Sequence, residues 1–331
     1  MTRVDIIVPC YNYARFLPPC LNSILSQHVD LRVLVLDDCS SDNTPDVASS
    51  FARSDPRIEY RRHEANIGHI QTYNEGLEWS SGDLTLLMSA DDMLTPGSLE
   101  RAATFMEQNP SAGMVYGRVV KLQSGDTPPA PEAGCHGGDR LVPGQEWIAQ
   151  RCAAGMNVIY SPEAITRTSL QKELGGYDPK LPHTADLEMW LRFASVSHVG
   201  VLDADQAYYR IHGSNMHATQ FSSKLKQLEQ VCLAFDTAFE NYGERIYDLE
   251  KRMSRTHFKI ASEAIRMASV AIDQKDALDN NWRDAISFAV RIYPKIRTRR
   301  VYWGLQRRAL PGLNLISRLI AHRRSADYDK E

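Results

Sequence analysis

Along the first third of the chain, short, dominantly apolar runs alternate with stretches whose apolar residues recur every three or four positions. Val4–Val8, Leu31–Leu36 and Leu84–Met88 are dominantly apolar, each interrupted by a single polar residue (Asp5, Arg32 and Thr85), the pattern of strands covered on both faces, and Ile58–Arg61 reads as a shorter strand. Between them Leu17, Leu21, Ile24 and Leu25, then Val47, Ala48 and Phe51, then Ile70, Tyr73 and Leu77 each mark one face of a helix. Leu99, Ala102, Ala103 and Met106 mark a fourth, with Thr95 as N-cap and Pro96 as first helical residue, as Thr44 and Pro45 do for the second. Strands alternating with helices of this length predict an α/β fold, a doubly wound and mainly parallel sheet, because parallel neighbours need crossover connections. Gly113–Gly117, Val199–Leu202 and Ala207–Ile211 read as further strands. Gln145–Cys152, Ser169–Leu174 and a segment capped by Thr184 read as helices. The Gly-, Pro- and Asp-rich stretch from Lys121 to Leu141 predicts a mobile surface loop, a candidate lid.

Two predicted strands end in paired acids, Asp37/Asp38 and Asp91/Asp92. In a wound sheet the ligand crevice lies at the carboxyl ends of the strands, so both pairs belong on one edge. Like charges gathered there cost energy unless a cation or donor groups offset them, which points to a polar ligand site. Asp186, in the first turn of the helix after Thr184, is either a complement to the helix dipole or a general base held at a helix start. The first strand is followed by PCYNYA rather than a GxGxxG turn, and the chain has no GxxxxGK[ST]. A dinucleotide-binding dehydrogenase and a P-loop NTPase are both disfavoured.

Seven segments then stand in an order and spacing that resembles the inverting family 2 glycosyltransferases of GT-A fold. They are VPCYN, LDDCSSDNT, NIGHIQTYNEG, LLMSADDMLTP, GGYD, ADLEMWLRFA and YRIHGSNM. The resemblance implies that Pro9, Tyr11 and Asn12 line the nucleotide, that Asp38 with Asp37 bonds the base or ribose, and that Asn66, Gly68, Asn74 and Ala90 border it. Asp91 and Asp92 occupy the place of the DXD motif, which implies a divalent cation, Mg²⁺ or Mn²⁺, on the donor diphosphate. His212 falls where some relatives bring a late histidine to the metal, and Asp186 matches the family's catalytic base. The first acid of the usual motif is Ser89 here, the acid expected before the base is Ala185, and the QxxRW of processive members is absent. The implied activity is transfer of a single sugar from a nucleotide-sugar to a glycan or lipid-linked acceptor hydroxyl, in bacterial polysaccharide or glycan assembly. A nucleotidyltransferase and a non-catalytic binding module are the alternatives. The first lacks a basic triphosphate loop, since PCYNYARF offers only Arg15; the second draws on Ser89.

Composition narrows the partners. Across 331 residues, 38 basic and 41 acidic side chains leave a net charge of −3, which argues against nucleic acid. Six cysteines without CxxC spacing suit a reducing cytosol, and no run approaches the ~18 apolar residues of a membrane span. Residues 1–220 read as the catalytic domain and 221–331 as a helical extension. Within the extension, Leu225, Leu228, Cys232, Phe235 and Phe239 form a helical seam that packs on the chain itself or in a homodimer. From Ala285 to Arg324 there are ten basic residues and no acidic one, interleaved with aromatic and aliphatic side chains. That mixture predicts a surface helix on an anionic membrane, placing the protein peripherally at the cytoplasmic face.

Overall fold

The computed structural model describes residues 2–123, 125–213, 223–273 and 281–309. Two compact units emerge: Met1–Ile148 with Val158–Gln220, and Ala149–Asn157 with Phe221–Glu331. The short stretch Ala149–Asn157, expected with the first 220 residues, is grouped with the second unit.

The first unit is built on β1 (Arg3–Cys10), β2 (Asp30–Asp37), β3 (Ile58–Arg62) and β4 (Leu84–Leu87), all parallel where paired. The helices α1 (Leu17–Leu25), α2 (Thr44–Ser54) and α3 (His69–Trp79) make the crossovers. Every residue of β4 is buried, as its dominantly apolar run requires of a central strand. Register sets Cys10 opposite Asp37 and Ile7 opposite Leu87, so the strand ends carrying both acidic pairs share one edge.

Beyond β4 the sheet becomes mixed. After β5 (Met93–Leu94) and α4 (Ser98–Gln108) come β6 (Ala112–Gln123), β7 (Arg140–Val142), α5 (Gly144–Ala154), β8 (Ile165–Arg167), α6 (Thr168–Leu174), α7 (Ala185–Val196) and β9 (His198–Ile211). The order is β3-β2-β1-β4-β8-β6-β9-β5, with β7 also on β9. The three-residue β8 runs antiparallel between β4 and β6 and is too short to show in the hydrophobic pattern.

Four local expectations are corrected. Thr95 does not cap α4: its hydroxyl donates to the Asp205 carbonyl, Met93–Leu94 pair as β5, and the helix begins after Gly97 in the left-handed region at φ 72°. At α2 the capping oxygen belongs to Asp42, which accepts from the Thr44 amide and hydroxyl. The two strands expected around 199–211 are one strand of fourteen residues. Its interruption by Asp203 and Asp205 is sequence-deep only, because Arg118 on β6 pairs with both carboxylates at 2.6 and 3.0 Å. Those same acids overturn the mobile lid. Asp203 accepts from the His136 and Gly138 amides, Asp205 accepts from the Glu132 amide, Tyr208 Oη donates to the Pro129 carbonyl, and Ala133 bridges Ala204. The segment is strapped along β9.

The second unit is helical: α8 (Lys224–Tyr242), α9 (Leu249–Asp273), α10 (Asn281–Ile292) and α11 (Arg300–Ala309). The expected seam is buried at Leu225, Cys232, Phe235 and Phe239, and α9 packs against the other three helices with Ile260, Ala261, Ala264, Ile265 and Ala268 inward. Residues 310–324 of the basic stretch lie outside the described residues. Among those described, no helix is long and apolar enough to cross a membrane.

Candidate functional site

The carboxyl edge of the sheet gathers the predicted residues into one region, each held by a different element. The β1 strand ends in Pro9 and Cys10, and the chain turns through Tyr11, half exposed, and Asn12 in the left-handed region at φ 59°. Asn12 Oδ1 accepts from the Ser41 and Asp42 amides, and its own amide donates to Ser40 Oγ. The asparagine thus ties the β1 turn to the β2 turn.

Asp37 and Asp38 divide their work. Asp37 is fully buried: one oxygen accepts from the Ser40 amide, the other from Tyr60 Oη, and Arg62 approaches at 3.6 Å. Asp37, expected with Asp38 at the nucleotide, braces the β2 turn. Asp38 lies at the edge and organises the start of α3. It accepts from the amides of Ile67 at 2.8 Å and Gly68 at 3.0 Å, while His63 Nδ1 stands at 2.8 Å. Glu75 Oε2 faces the other ring nitrogen at 3.0 Å. Burial alone would lower the His63 pKa, but the two carboxylates outweigh it and raise it, favouring the imidazolium that donates from both nitrogens. Asn66 closes the turn, donating to the Asp38 carbonyl and accepting from Gly68. Gly68 itself sits at φ 87°, a conformation that a side chain disfavours.

Asn74 faces away from that turn. Its side-chain amide exchanges two hydrogen bonds with the Tyr177 backbone, at 2.9 and 2.7 Å, and so fastens the GGYD segment to α3. A Cβ on Gly176 would lie 2.4 Å from Asn74 Oδ1, which is why that position is glycine. Arg192 secures the same segment from α7, donating to the carbonyls of Leu174 and Gly176 and to Glu188 at 2.7 Å.

After β4 the chain passes Ser89, fully buried Ala90, then Asp91 and Asp92. Asp91 Oδ2 lies 3.0 Å from His212 Nε2, at the far end of β9. The His212 ring stacks on Phe16 at 4.5 Å and meets Tyr13 edge-on, so it is held in place from two sides. Asp92 turns to the backbone: one oxygen accepts from the Arg210 amide at 2.8 Å. Burial, then the neighbouring Asp91 charge, hold the Asp92 carboxyl well above the usual range. Asp91, Asp92 and His212 do not bring three ligand atoms within 4.8 Å of one another; among the described residues only Cys232, Asp236 and His257 do. Asp91 and His212 thus offer a carboxylate and an imidazole 3.0 Å apart, while Asp92 beside them also holds the Arg210 amide. A carboxylate and an imidazole, with the remaining positions left for diphosphate oxygens and water, fit a divalent cation of the Mg²⁺ or Mn²⁺ kind.

Asp186 opens α7, half-buried, and its carboxylate accepts from the Leu187 amide. Its link to the cation end is Tyr73 on α3: burial, then the charges of Asp91 and Asp186, push the Tyr73 phenol up. Burial and the Asp186 charge do the same to Tyr177, and burial with Asp92 and Asp91 to Tyr209. Tyr209 in turn packs on Tyr160 at 4.8 Å. The charges of Asp91 and Asp186 thus both reach Tyr73. Tyr13, Phe16, His63 and Tyr209 belong to this region without being expected there. Tyr13 and Phe16 carried a signal in the aromatic YNYARF turn, but His63 in an exposed polar stretch carried none.

Comparison with known proteins agrees with this architecture. Residues 5–164 match the family model described as glycosyl transferase family 2. An uncharacterized glycosyltransferase of Nostoc is 27% identical over 226 residues, covering 68% of this chain and 70% of that protein. The poly(ribitol-phosphate) beta-N-acetylglucosaminyltransferase TarS of Staphylococcus aureus is 25% identical over 217 residues, covering 63% of this chain and 35% of TarS. The chain thus matches about a third of TarS's full length. Crystal structures give the same fold: TarS 1-349 with UDP-GlcNAc (TM-score 0.58, 16% identity, 89% of this chain and 91% of that one). The mannosyltransferase PcManGT of Pyrobaculum calidifontis with GDP-Man and Mn²⁺ gives 0.55 at 16% identity, over 88% and 85%. Over residues 5–164 the domain that begins at the first strand thus matches the glycosyl transferase family 2 model, and it has the fold of the TarS and PcManGT structures.

Proposed function

We propose that the enzyme moves one sugar from a nucleotide-sugar donor to an acceptor hydroxyl with inversion, using Asp91 and His212 to hold a divalent cation and Asp186 as base. One arrangement carries the reading: a carboxylate and an imidazole from distant parts of the chain 3.0 Å apart, with the charge of a second carboxylate, Asp186, reaching the same Tyr73 that Asp91 reaches. A cation bound at Asp91 and His212 supplies charge neutralisation for the departing nucleoside diphosphate. Asp186 takes the acceptor's proton as the acceptor oxygen bonds to the anomeric carbon and the glycosyl–phosphate bond breaks on the opposite face. The turn held by Asp38 borders the nucleotide, and Tyr11, 49% exposed, offers a ring to the base. The TarS complex with UDP-GlcNAc and the PcManGT complex with GDP-Man support a sugar-nucleotide donor, and the TarS name, a poly(ribitol-phosphate) N-acetylglucosaminyltransferase, supports a hydroxyl-bearing polymer as acceptor. Incubating the protein with UDP- and GDP-sugars tests this: release of nucleoside diphosphate should need Mn²⁺ or Mg²⁺. Undiminished release in excess chelator contradicts it.

We further infer peripheral attachment to an anionic membrane bearing the acceptor. Phe288, Ile296 and Leu305 are buried within the helical unit and are not free to insert, whereas Lys295, Arg297, Arg299 and Arg300 are exposed. Attraction at about 1 kcal/mol per basic residue, rather than apolar insertion, is the expected force for this part of the stretch. Flotation with anionic vesicles at low salt is the test, and protein that stays unbound overturns the attachment.

A further inference from the structure

We propose that the helical unit carries a second metal site, for a borderline divalent ion of the zinc class, formed by Cys232, Asp236 and His257. Cys232 and Asp236 stand one turn apart on one face of α8, and His257 reaches them from α9. One potential ligand atom from each lies within 4.8 Å of the other two. His257 Nε2 is 2.6 Å from Asp236 Oδ1, and Cys232 Sγ is 3.6 Å from Asp236 Oδ2.

A histidine–aspartate hydrogen bond accounts for the first of these contacts by itself. It does not account for a buried thiol, 3% exposed, turned towards the same carboxylate's other oxygen instead of into the surrounding apolar seam. Sulfur, imidazole nitrogen and carboxylate oxygen together are a donor set for zinc-like ions, not for Mg²⁺. Asp236 has a side chain 44% exposed, so the ion has an entry path and a water can fill a fourth position. Arg291 of α10, whose charge reaches Cys232, is answered by Glu229, one turn before Cys232, at 3.6 Å. Binding releases the Cys232 thiol proton to solvent and changes no oxidation state. The bound ion would pin α8 to α9 by a link absent from the hairpin's apolar packing. Nothing in this site depends on the transferase reading, because it shares no residue with the sheet edge.

The full chain, stripped of metal, would be titrated with Co²⁺ and followed by absorption. A single equivalent should give a thiolate-to-cobalt charge-transfer band and the intense visible bands of a tetrahedral ion, both displaced by Zn²⁺. Asp91→Asn should leave these bands unchanged, since that carboxylate is none of the three donors. Cys232→Ser should remove the charge-transfer band, and His257→Gln should weaken binding by at least the ~10- to 100-fold that loss of a supporting partner costs. A wild-type titration without the band, or a band that survives Cys232→Ser, overturns the site. Should Cys232→Ser fail to fold, the wild-type titration and His257→Gln decide the matter alone.

Discussion

Asp91 and His212, 121 positions apart, are brought to a 3.0 Å contact by the ends of β4 and β9, whereas the adjacent Asp92 spends an oxygen on the Arg210 amide. The two acids of one motif are therefore not equivalent. Asp91→Asn should abolish cation-dependent turnover. Asp92→Asn retains an acceptor for the Arg210 amide and should cost far less. His212→Ala should raise the Mn²⁺ concentration for half-maximal activity by about 10-fold or more, judged against the 10- to 100-fold typical of supporting metal-site residues. Metal titrations of the three variants check the order; equal losses for Asp91→Asn and Asp92→Asn contradict it.

Arg192 and Glu188 form a buried pair at 2.7 Å, with side chains 5% and 2% exposed, under the GGYD segment. Glu188→Ala leaves a guanidinium buried without its carboxylate and should lower stability by about 3–5 kcal/mol, the range for breaking one side of such a pair. Chemical denaturation measures it. A loss within ~0.5 kcal/mol, the usual size for surface substitutions, would show that the pair bears little weight.

Glu163 supplies a pH dependence. Its Oε1 accepts from the Tyr160 amide, Oε2 has no partner among the described residues, and burial raises its pKa to about 8. A carboxyl whose folded pKa exceeds its unfolded value of 4.5 binds more protons when folded. Its contribution is complete below the unfolded pKa and is lost as pH rises through the folded one, so stability should fall between about pH 4.5 and 8. Glu163→Gln, which keeps the acceptor without the charge, should flatten this fall and be the more stable protein at pH 8. Thermal melts across that range decide, and parallel profiles for the two proteins contradict the assignment.

Much of the sheet edge was legible because its signals are local. Dominantly apolar runs named β1, β2 and β4, and the acids following β2 and β4 were bound to share an edge once both strands paired in parallel with β1. What the sequence concealed depends on partners far along the chain. Asp37 and Asp38 look alike as letters, but Tyr60 and Ser40 claim the first while Ile67, Gly68 and His63 claim the second. The continuous β9 was hidden because Asp203 and Asp205 read as a break until Arg118 is placed beside them. The Pro- and Gly-rich segment read as mobile for the same reason, since its tethers are those two carboxylates. Tyr73 was legible as an inward helical residue, but not as the ring on which Asp91 and Asp186 both act.

The most direct test of the cleft is turnover by Asp186→Asn with donor, acceptor and Mn²⁺, measured beside donor affinity. The expected result is a rate lower by at least ~10² to 10⁴-fold, the share a positioned base supplies, with donor binding unchanged. Wild-type turnover in that variant would contradict the account.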